Sequence, residues 1–311
     1  MTFGKISDWP KGPFKWQEGQ VLYVSVPFTW NLPAVRNELA NRSFVWQRAV
    51  VGGPAVELMP DYLAGIPNVE IGHSMPGVLQ RVNPMATRTT TGCPRHCQFC
   101  GIGAGKIEAG GLQVLEEWPV LPIVCDNNIL AAPVEHLERV CRMLGERWGW
   151  ADFNQGLDAR LMTSKKATLI ASIGKPICRL ALDNSTAEAK TTFMRAFTYL
   201  REAGTPKIRI SAYALVGFEE TPAQGWERCE WIDALGIKAY PMRFHRLDAL
   251  EHNRLTQEQE ARGWTKGEFA ALFGWWYQHR RQGTLRGGRQ VPGQCELRDV
   301  ASSSHTCRGD K

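Results

Sequence analysis

The chain has 311 residues, 43% apolar and 22% charged, with 37 Lys+Arg against 31 Asp+Glu. That length and apolar share suit one large or two modest domains with a sizeable core, and twelve Trp argue against disorder. No apolar run reaches the roughly 18 residues that span a bilayer, and the first ten residues hold no apolar signal-peptide core, so a cytoplasmic protein without membrane contact is expected.

Residues 1–85 read as a short N-terminal α/β segment. Val21–Pro27 is a β run. A helix is predicted near Pro33–Leu39. Ala49-Val50-Val51 is a second strand, closed by the turn Gly52-Gly53-Pro54.

The first cysteines come next. The chain has nine Cys, and with no secretion signal a disulfide framework is not expected. Cys93, Cys97 and Cys100 cluster with the spacing C-x3-C-x2-C, and Pro94, Gly92 and Gly101 mark the stretch as a loop. Three thiolates leave a tetrahedral zinc site one ligand short, and His96 is the nearest candidate for the fourth. A [4Fe-4S] cluster normally takes four Cys, so three leave one iron open to a substrate or cofactor. Gly101–Lys106 has the look of a phosphate loop, but the first glycine of that pattern falls on Cys100 and Ile107 stands where Ser or Thr is required. This glycine-rich turn, with Gly101 first, instead lets backbone approach a bound group.

Cys93, Cys97, Phe99 and Cys100 together resemble the C-x3-C-x-aromatic-C signature of the radical S-adenosylmethionine (radical SAM) enzymes. The resemblance implies a [4Fe-4S] cluster whose open iron chelates S-adenosylmethionine (SAM). It implies reductive cleavage of SAM to a 5′-deoxyadenosyl radical that abstracts hydrogen from a substrate. A flavodoxin- or ferredoxin-type protein would supply the electron. The fold it implies is a partial (β/α)6, TIM-like barrel.

Residues 86–250 carry the alternation that such a barrel needs. Strands are predicted at Ala86–Thr91, Pro122–Cys125, Trp150–Phe153, Ile177–Leu182, Ile208–Val216 and Lys238–Phe244. Helices are predicted from Val134 to Trp148, over Lys165–Ile173, over Thr186–Ala203 and from Thr221 to about Leu235. Thr221-Pro222-Ala223-Gln224 is a capping box with Pro at the first helical position. Chemistry in such sheets collects at the carboxyl ends of the strands. By position, Asp126-Asn127-Asn128 stands where many radical SAM enzymes have a Gly-Gly-Glu motif contacting the SAM amino group, although the residues differ. Asp183 matches the place of a ribose contact, and Gly217 that of a glycine motif near the adenine. Local readings compete: Asp126 and Asn127 as an ordinary turn, the run Asp183-Asn184-Ser185-Thr186 as a helix cap, Gly217 as a turn residue. Asp158 and Arg160, as well as Arg243 and His245, end strands and are candidate substrate contacts.

The Gly-Gly-Pro turn of the first segment resembles the end of the cobalamin-binding domains that precede one branch of these enzymes. No Asp-x-His-x-x-Gly occurs, so a shortened relative that binds no cobalamin is expected. Residues 251–311 read as a C-terminal helical extension and basic tail. Thr265 to Glu268 is a capping box, with Phe269, Leu272, Phe273 and Trp276 as the inward stripe of the helix it opens. From Asn253 onward there are ten Lys+Arg against six Asp+Glu. Arg280, Arg281, Arg286 and Arg289 lie in a stretch without acids, which turns attention to a nucleic-acid or nucleotide substrate. Cys125, Cys141, Cys178 and Cys229 read as buried hydrophobes, and Cys295 and Cys307 as tail residues. Two rival functions use the same cysteines: a zinc-binding nucleic-acid module, and an iron–sulfur electron-transfer protein without SAM turnover.

Overall fold

The structure is a computed structural model that describes residues 9–41, 46–72, 75 and 77–282, with side chains to residue 278. These residues form three sheets, of four, six and two strands. The first is built by β1 (Phe14–Glu18), β2 (Val21–Ser25), β3 (Arg48–Gly52) and β4 (Val69–Ile71), paired in that order. The first pair is antiparallel and the others are parallel. The period-2 alternation of β2 buries Leu22 and Val24. They pack with Leu32, Val35 and Leu39 of α1 (Leu32–Ala40) and Val56 of α2 (Pro54–Leu58) in a core of their own. Gly53 has φ +98°, and a Cβ there would lie 2.9 Å from the backbone of Val26, so only glycine fits. Pro54 then opens α2. The sequence predicts two of these four strands; β1 alternates too weakly and β4 is three residues long.

After α3 (Val78–Val82) come β5 (Ala86–Thr87), β6 (Thr90–Thr91), β7 (Gln113–Val114), β8 (Ile123–Val124), β9 (Trp150–Phe153), β10 (Lys175–Leu182), β11 (Ile210–Val216) and β12 (Lys238–Arg243). Six of these eight form one sheet in the order β12-β11-β10-β9-β8-β5, every pair parallel. Neighbours in the sheet are neighbours in sequence among its members. Helices α4 (Val134–Trp148), α5 (Ser164–Ala171), α6 (Ala187–Glu202) and α7 (Pro222–Ala234) fill the later crossovers. No closing pair joins β5 to β12, so the sheet is open.

The strand predicted over Ala86–Thr91 is split in two. Asp126 accepts hydrogen bonds from the backbone amides of Thr89 and Thr90 at 2.5 and 2.9 Å, which draws the chain out of the sheet. Thr90–Thr91 then pairs with Gln113–Val114 instead.

The six strands present two chemically different faces. Phe153, Leu180, Ala212 and Val216 sit in the main core with Leu137, Leu144 and Phe193 of the helices. The opposite face carries Asp152 and Arg179, ion-paired at 2.9 Å, and Tyr213, whose hydroxyl donates to the Asn154 carbonyl at 2.8 Å.

The extension, α8 (Gln257–Ala261) and α9 (Lys266–Gln282), closes over the end of β11. Thr265 caps α9 as its sequence predicts, with the Glu268 amide donating to the hydroxyl at 3.0 Å. Phe269 and Leu272 are buried, and Trp276 meets Tyr240 with ring centroids 5.6 Å apart. Trp264 stacks on Phe269, and its Nε1 donates to the Glu220 carbonyl at 2.8 Å. Glu220 and Arg228 form a buried ion pair at 2.6 Å, and Glu220 also accepts from the Gly217 amide. No helix among the described residues is long and apolar enough to cross a membrane.

Removing one member of a buried ion pair strands the other charge. Arg228→Leu should therefore cost about 3–5 kcal/mol of stability in urea denaturation, and adding Glu220→Leu should recover much of that loss.

Candidate functional site

The cysteine loop is a hairpin insertion closed by the β6–β7 pair. At its neck Gly92 has φ +68°, and a Cβ there would stand 1.9 Å from the Gly111 carbonyl oxygen. Inside the loop the Cys100 amide donates to Cys97 at 3.1 Å and the Ala104 amide to Cys100 at 2.8 Å. A Cβ on Gly103 would come within 2.6 Å of the Cys97 backbone nitrogen, so the loop folds tightly on itself. Gly101 is buried in that fold, its carbonyl accepting from Lys106 and Ile107. Cys93, Cys97 and Cys100 are half-buried free thiols, whereas His96 points out to solvent. Among the described residues no three His, Cys, Asp or Glu side chains are grouped to hold one ion. A cubane cluster bonds each thiolate to a different iron, so its demand is for thiols on one loop.

Asp158 anchors this loop to the sheet. Its Oδ2 accepts from Arg95 Nε at 3.1 Å and from Asn128 Nδ2 at 3.2 Å. Arg160 grips the same carboxylate in a fork, Nε to Oδ1 at 2.7 Å and Nη2 to Oδ2 at 3.1 Å. Asn128 Nδ2 also lies 3.5 Å from Cys93 Sγ. Burial pushes the Asp158 pKa up, but Arg160 and Arg95 outweigh it and hold the carboxyl below its ordinary range. Burial raises the Cys97 pKa, with Arg160 opposing.

A second network supports the neck. Glu108 pairs with Arg88, accepts from Asn127 Nδ2 at 2.7 Å and from the Gly92 amide at 2.6 Å. Arg88 also donates to Asn127 Oδ1 at 3.1 Å. The Glu108 amide reaches Glu57 of α2 at 3.3 Å. Asn127 is thus a brace of the loop. Asp126 is buried, and its remaining oxygen accepts from the Thr89 hydroxyl at 2.5 Å. Both oxygens of Asp126 are spent inside the chain, so it acts as a structural pin.

An aromatic chain leads away from the thiols. Phe99 meets Phe218 edge-on at 5.4 Å, and Phe218 meets Phe244 at 4.9 Å. Gly217, at φ +84°, has no open space: a Cβ there would lie 2.7 Å from Phe269. Its carbonyl accepts from Gln259 at 3.1 Å. Asp183 makes no hydrogen bond or ion pair among the described residues and lines a small cavity with Asp158 and Arg160. Burial pushes its pKa up, against the Arg160 and Arg228 charges. The run 183–186 does cap α6, through Thr186, which leaves Asp183 free of that role.

Arg243 and His245 lie farther off. The Arg243 guanidinium sits 4.0 Å over the Phe269 ring, and its Nη2 donates to the Asn253 carbonyl. His245 contacts Trp30 and His252, and burial lowers its pKa. They line a groove of about 1270 Å³ that Phe99 and Ile107 also reach. A further cavity of about 710 Å³ lies between the first sheet and the neck network. Cys125, Cys141, Cys178 and Cys229 are all buried, and burial pushes Cys125, Cys141 and Cys229 up to about 12. They pack as protonated hydrophobes. Cys295, Cys307, Arg286 and Arg289 lie outside the described residues, as do the side chains of Arg280 and Arg281.

No family model and no curated protein matches the sequence. A solved structure does: TsrM, a radical S-adenosylmethionine methyltransferase from Kitasatospora setae, determined with cobalamin and a [4Fe-4S] cluster bound. The two align over 73% of this chain with a TM-score of 0.51 and 14% identity. Over the aligned residues this chain shares the fold of that radical SAM methyltransferase. It spans 64% of the TsrM chain.

The residues present fit an iron–sulfur cluster. The donor set is three soft thiols on one tightly folded loop, and Cys93 Sγ has the Asn128 side-chain amide as a hydrogen-bond donor beside it. Asn128 Oδ1 is buried with no hydrogen-bond partner among the described residues, an open acceptor next to Cys93. Asn128 belongs to the run that the sequence singles out by position. Arg95 and Glu108 are site residues without a sequence signal, because their partners lie 63 and 20 positions away.

The ordinary Asp pKa is 3.8, and in the folded protein Asp158 lies below it. Its contribution to stability is therefore present above 3.8 and lost as pH falls through the lowered folded value. Asp158→Asn should be less stable than the parent at neutral pH, and the gap should shrink in acid, read from denaturant midpoints across a pH series.

Proposed function

We propose that the protein is a radical SAM enzyme. Cys93, Cys97 and Cys100 would hold three irons of a [4Fe-4S] cluster, and S-adenosylmethionine would bind beside them. The observation that carries this reading is the Cys-x3-Cys-x-Phe-Cys loop, tied to the ends of β8 and β9 through Asn128 and Asp158, within a radical SAM fold. The six parallel strands in chain order are read as the partial (β/α)6 barrel.

When bound, the cluster and SAM supply reductive cleavage to a 5′-deoxyadenosyl radical that removes hydrogen from a substrate. The protein's part is to place groups and exclude water. Asp158 fixes the loop so that the three thiols stay in register. Asn128 Oδ1 is the acceptor assigned to the SAM ammonium, the role that position suggested for Asp126 and Asn127. Asp183, a carboxylate without a partner among the described residues, is assigned to the ribose hydroxyls. Phe99 and Phe218 form an apolar wall against water. Gly217 is kept small by Phe269 and supports that wall from behind.

A flavodoxin- or ferredoxin-type donor is the partner this chemistry needs, and a reducing cytoplasm suits the free thiols. The N-terminal segment is read as a shortened relative of the cobalamin domain without the cobalt-ligating His. Hydrogen abstraction leaves the substrate class open, because one fold hosts many reactions.

Anaerobically purified protein should contain iron and sulfide and release 5′-deoxyadenosine from SAM with dithionite. Cys97→Ala should lose both. Zinc in place of iron would sink the proposal in favour of a zinc module. An iron cluster that binds SAM without cleaving it would point to an electron-transfer protein.

A further inference from the structure

The groove of about 1270 Å³ beside β12 and α9 differs from the other two cavities in its chemistry. Glu57 and Glu108 line the 710 Å³ cavity, and Asp158, Asp183 and Glu188 line the small one. The large groove has no Asp or Glu in its lining. It has four Lys or Arg instead: Lys11, Arg243, Arg246 and Lys266. Arg246 is paired with Asp248 at 2.9 Å. Lys11, Arg243 and Lys266 have no ion pair among the described residues, so their charge faces the groove uncompensated.

Flat faces accompany the charge. Trp30 stacks on Phe28 with ring centroids 4.5 Å apart and planes 8° from parallel. Phe273 and Tyr277 line the α9 wall. Five large apolar side chains are exposed among the described residues, and three of them, Phe28, Met242 and Tyr277, belong to this groove. Exposed aromatics concentrated in a cation-lined groove mark a binding surface rather than scattered surface residues. Aromatic faces between unpaired cations match a ligand with π-faces and regularly spaced negative charge, which is a single strand of nucleic acid. The groove is larger than the roughly 300–1,000 Å³ of small-ligand pockets, so it suits several linked nucleotides. Phe99 and Ile107 of the cysteine loop form its inner end, which would bring a bound strand next to the thiols.

We infer that this groove binds single-stranded nucleic acid and that the substrate of the enzyme is carried on such a strand. The binding half stands on the groove alone, and the substrate half rests on the radical SAM reading.

The test uses the full-length, anaerobically purified protein and fluorescent single-stranded RNA and DNA oligonucleotides, read by anisotropy. An acidic, aromatic-rich peptide and a duplex serve as competitors. A single strand should bind in preference to both. With three unpaired cations on phosphates, affinity should fall about twentyfold between about 50 and 200 mM salt. Lys266→Gln, an exposed site, should reduce the slope of log affinity against log salt by about 0.7. Trp30→Ala should weaken binding roughly tenfold. Near-UV circular dichroism would show that each variant is folded. No single-strand binding, a preference for the peptide, or binding that neither substitution changes would overturn the assignment. The last result would mean that the tail arginines bind alone. SAM cleavage without oligonucleotide, measured on the same preparations, separates the two ideas. Cleavage without strand binding sinks only the groove assignment, and strand binding without iron or cleavage sinks only the enzyme reading.

Discussion

The Asp158 carboxylate is the contact on which the site depends. It holds Arg95 from the cysteine loop, Asn128 from the end of β8 and Arg160 from its own turn. Three donors, two of them cationic, converge on a group that is almost fully buried. A carboxylate in that position would be costly if unpaired, so its partners are held in turn. The loop is thereby fixed by electrostatics at one end and by Gly92, Glu108 and Arg88 at its neck. Three thiols on a free loop of this length would have to be ordered by whatever they bind. Here the ordering is already present in the fold.

The aromatic chain has a geometric meaning. Phe99 follows the first strand of the six-stranded sheet, and Phe218 follows the fifth. Four strand spacings of about 4.8 Å would separate those strands by roughly 19 Å in a flat sheet. The rings are 5.4 Å apart. Twist of the parallel sheet and the length of the insertion together close that gap. The cysteine loop therefore reaches across the carboxyl ends of the strands, touching Phe218 through Phe99 and Asp158 through Arg95.

Much of this fold is legible in the sequence where the signal is local. The helix Val134–Trp148 follows from its periodicity, and the start of α7 follows from the Thr221–Gln224 capping box, whose two reciprocal bonds are present. The four isolated cysteines read correctly as core. Short elements are harder. β4 has three residues, and α8, though opened by a Thr256–Gln259 capping box, has five. The split of the first strand of the six-stranded sheet is invisible, because its cause, Asp126, lies 36 positions from Thr90. At the site, the cysteines and Phe99 stand out by spacing alone. The roles of Asp126 and Asn127 do not, since nothing local says that one pins a strand and the other braces a loop. Asn128, one residue on, is the member of that run aimed at a sulfur.

The contact between Glu57 and the Glu108 amide looks minor beside these networks. It joins a helix of the first sheet to the neck of the cysteine loop, and Thr29 adds a bond to the Ala249 carbonyl at 2.6 Å. The two larger sheets thus have separate cores among the described residues but are not two detachable modules. A protein engineer who transplanted the six-stranded sheet alone would carry over every cysteine of the loop and leave behind one of the struts that hold it. The N-terminal sheet is thus scaffolding for its neighbour.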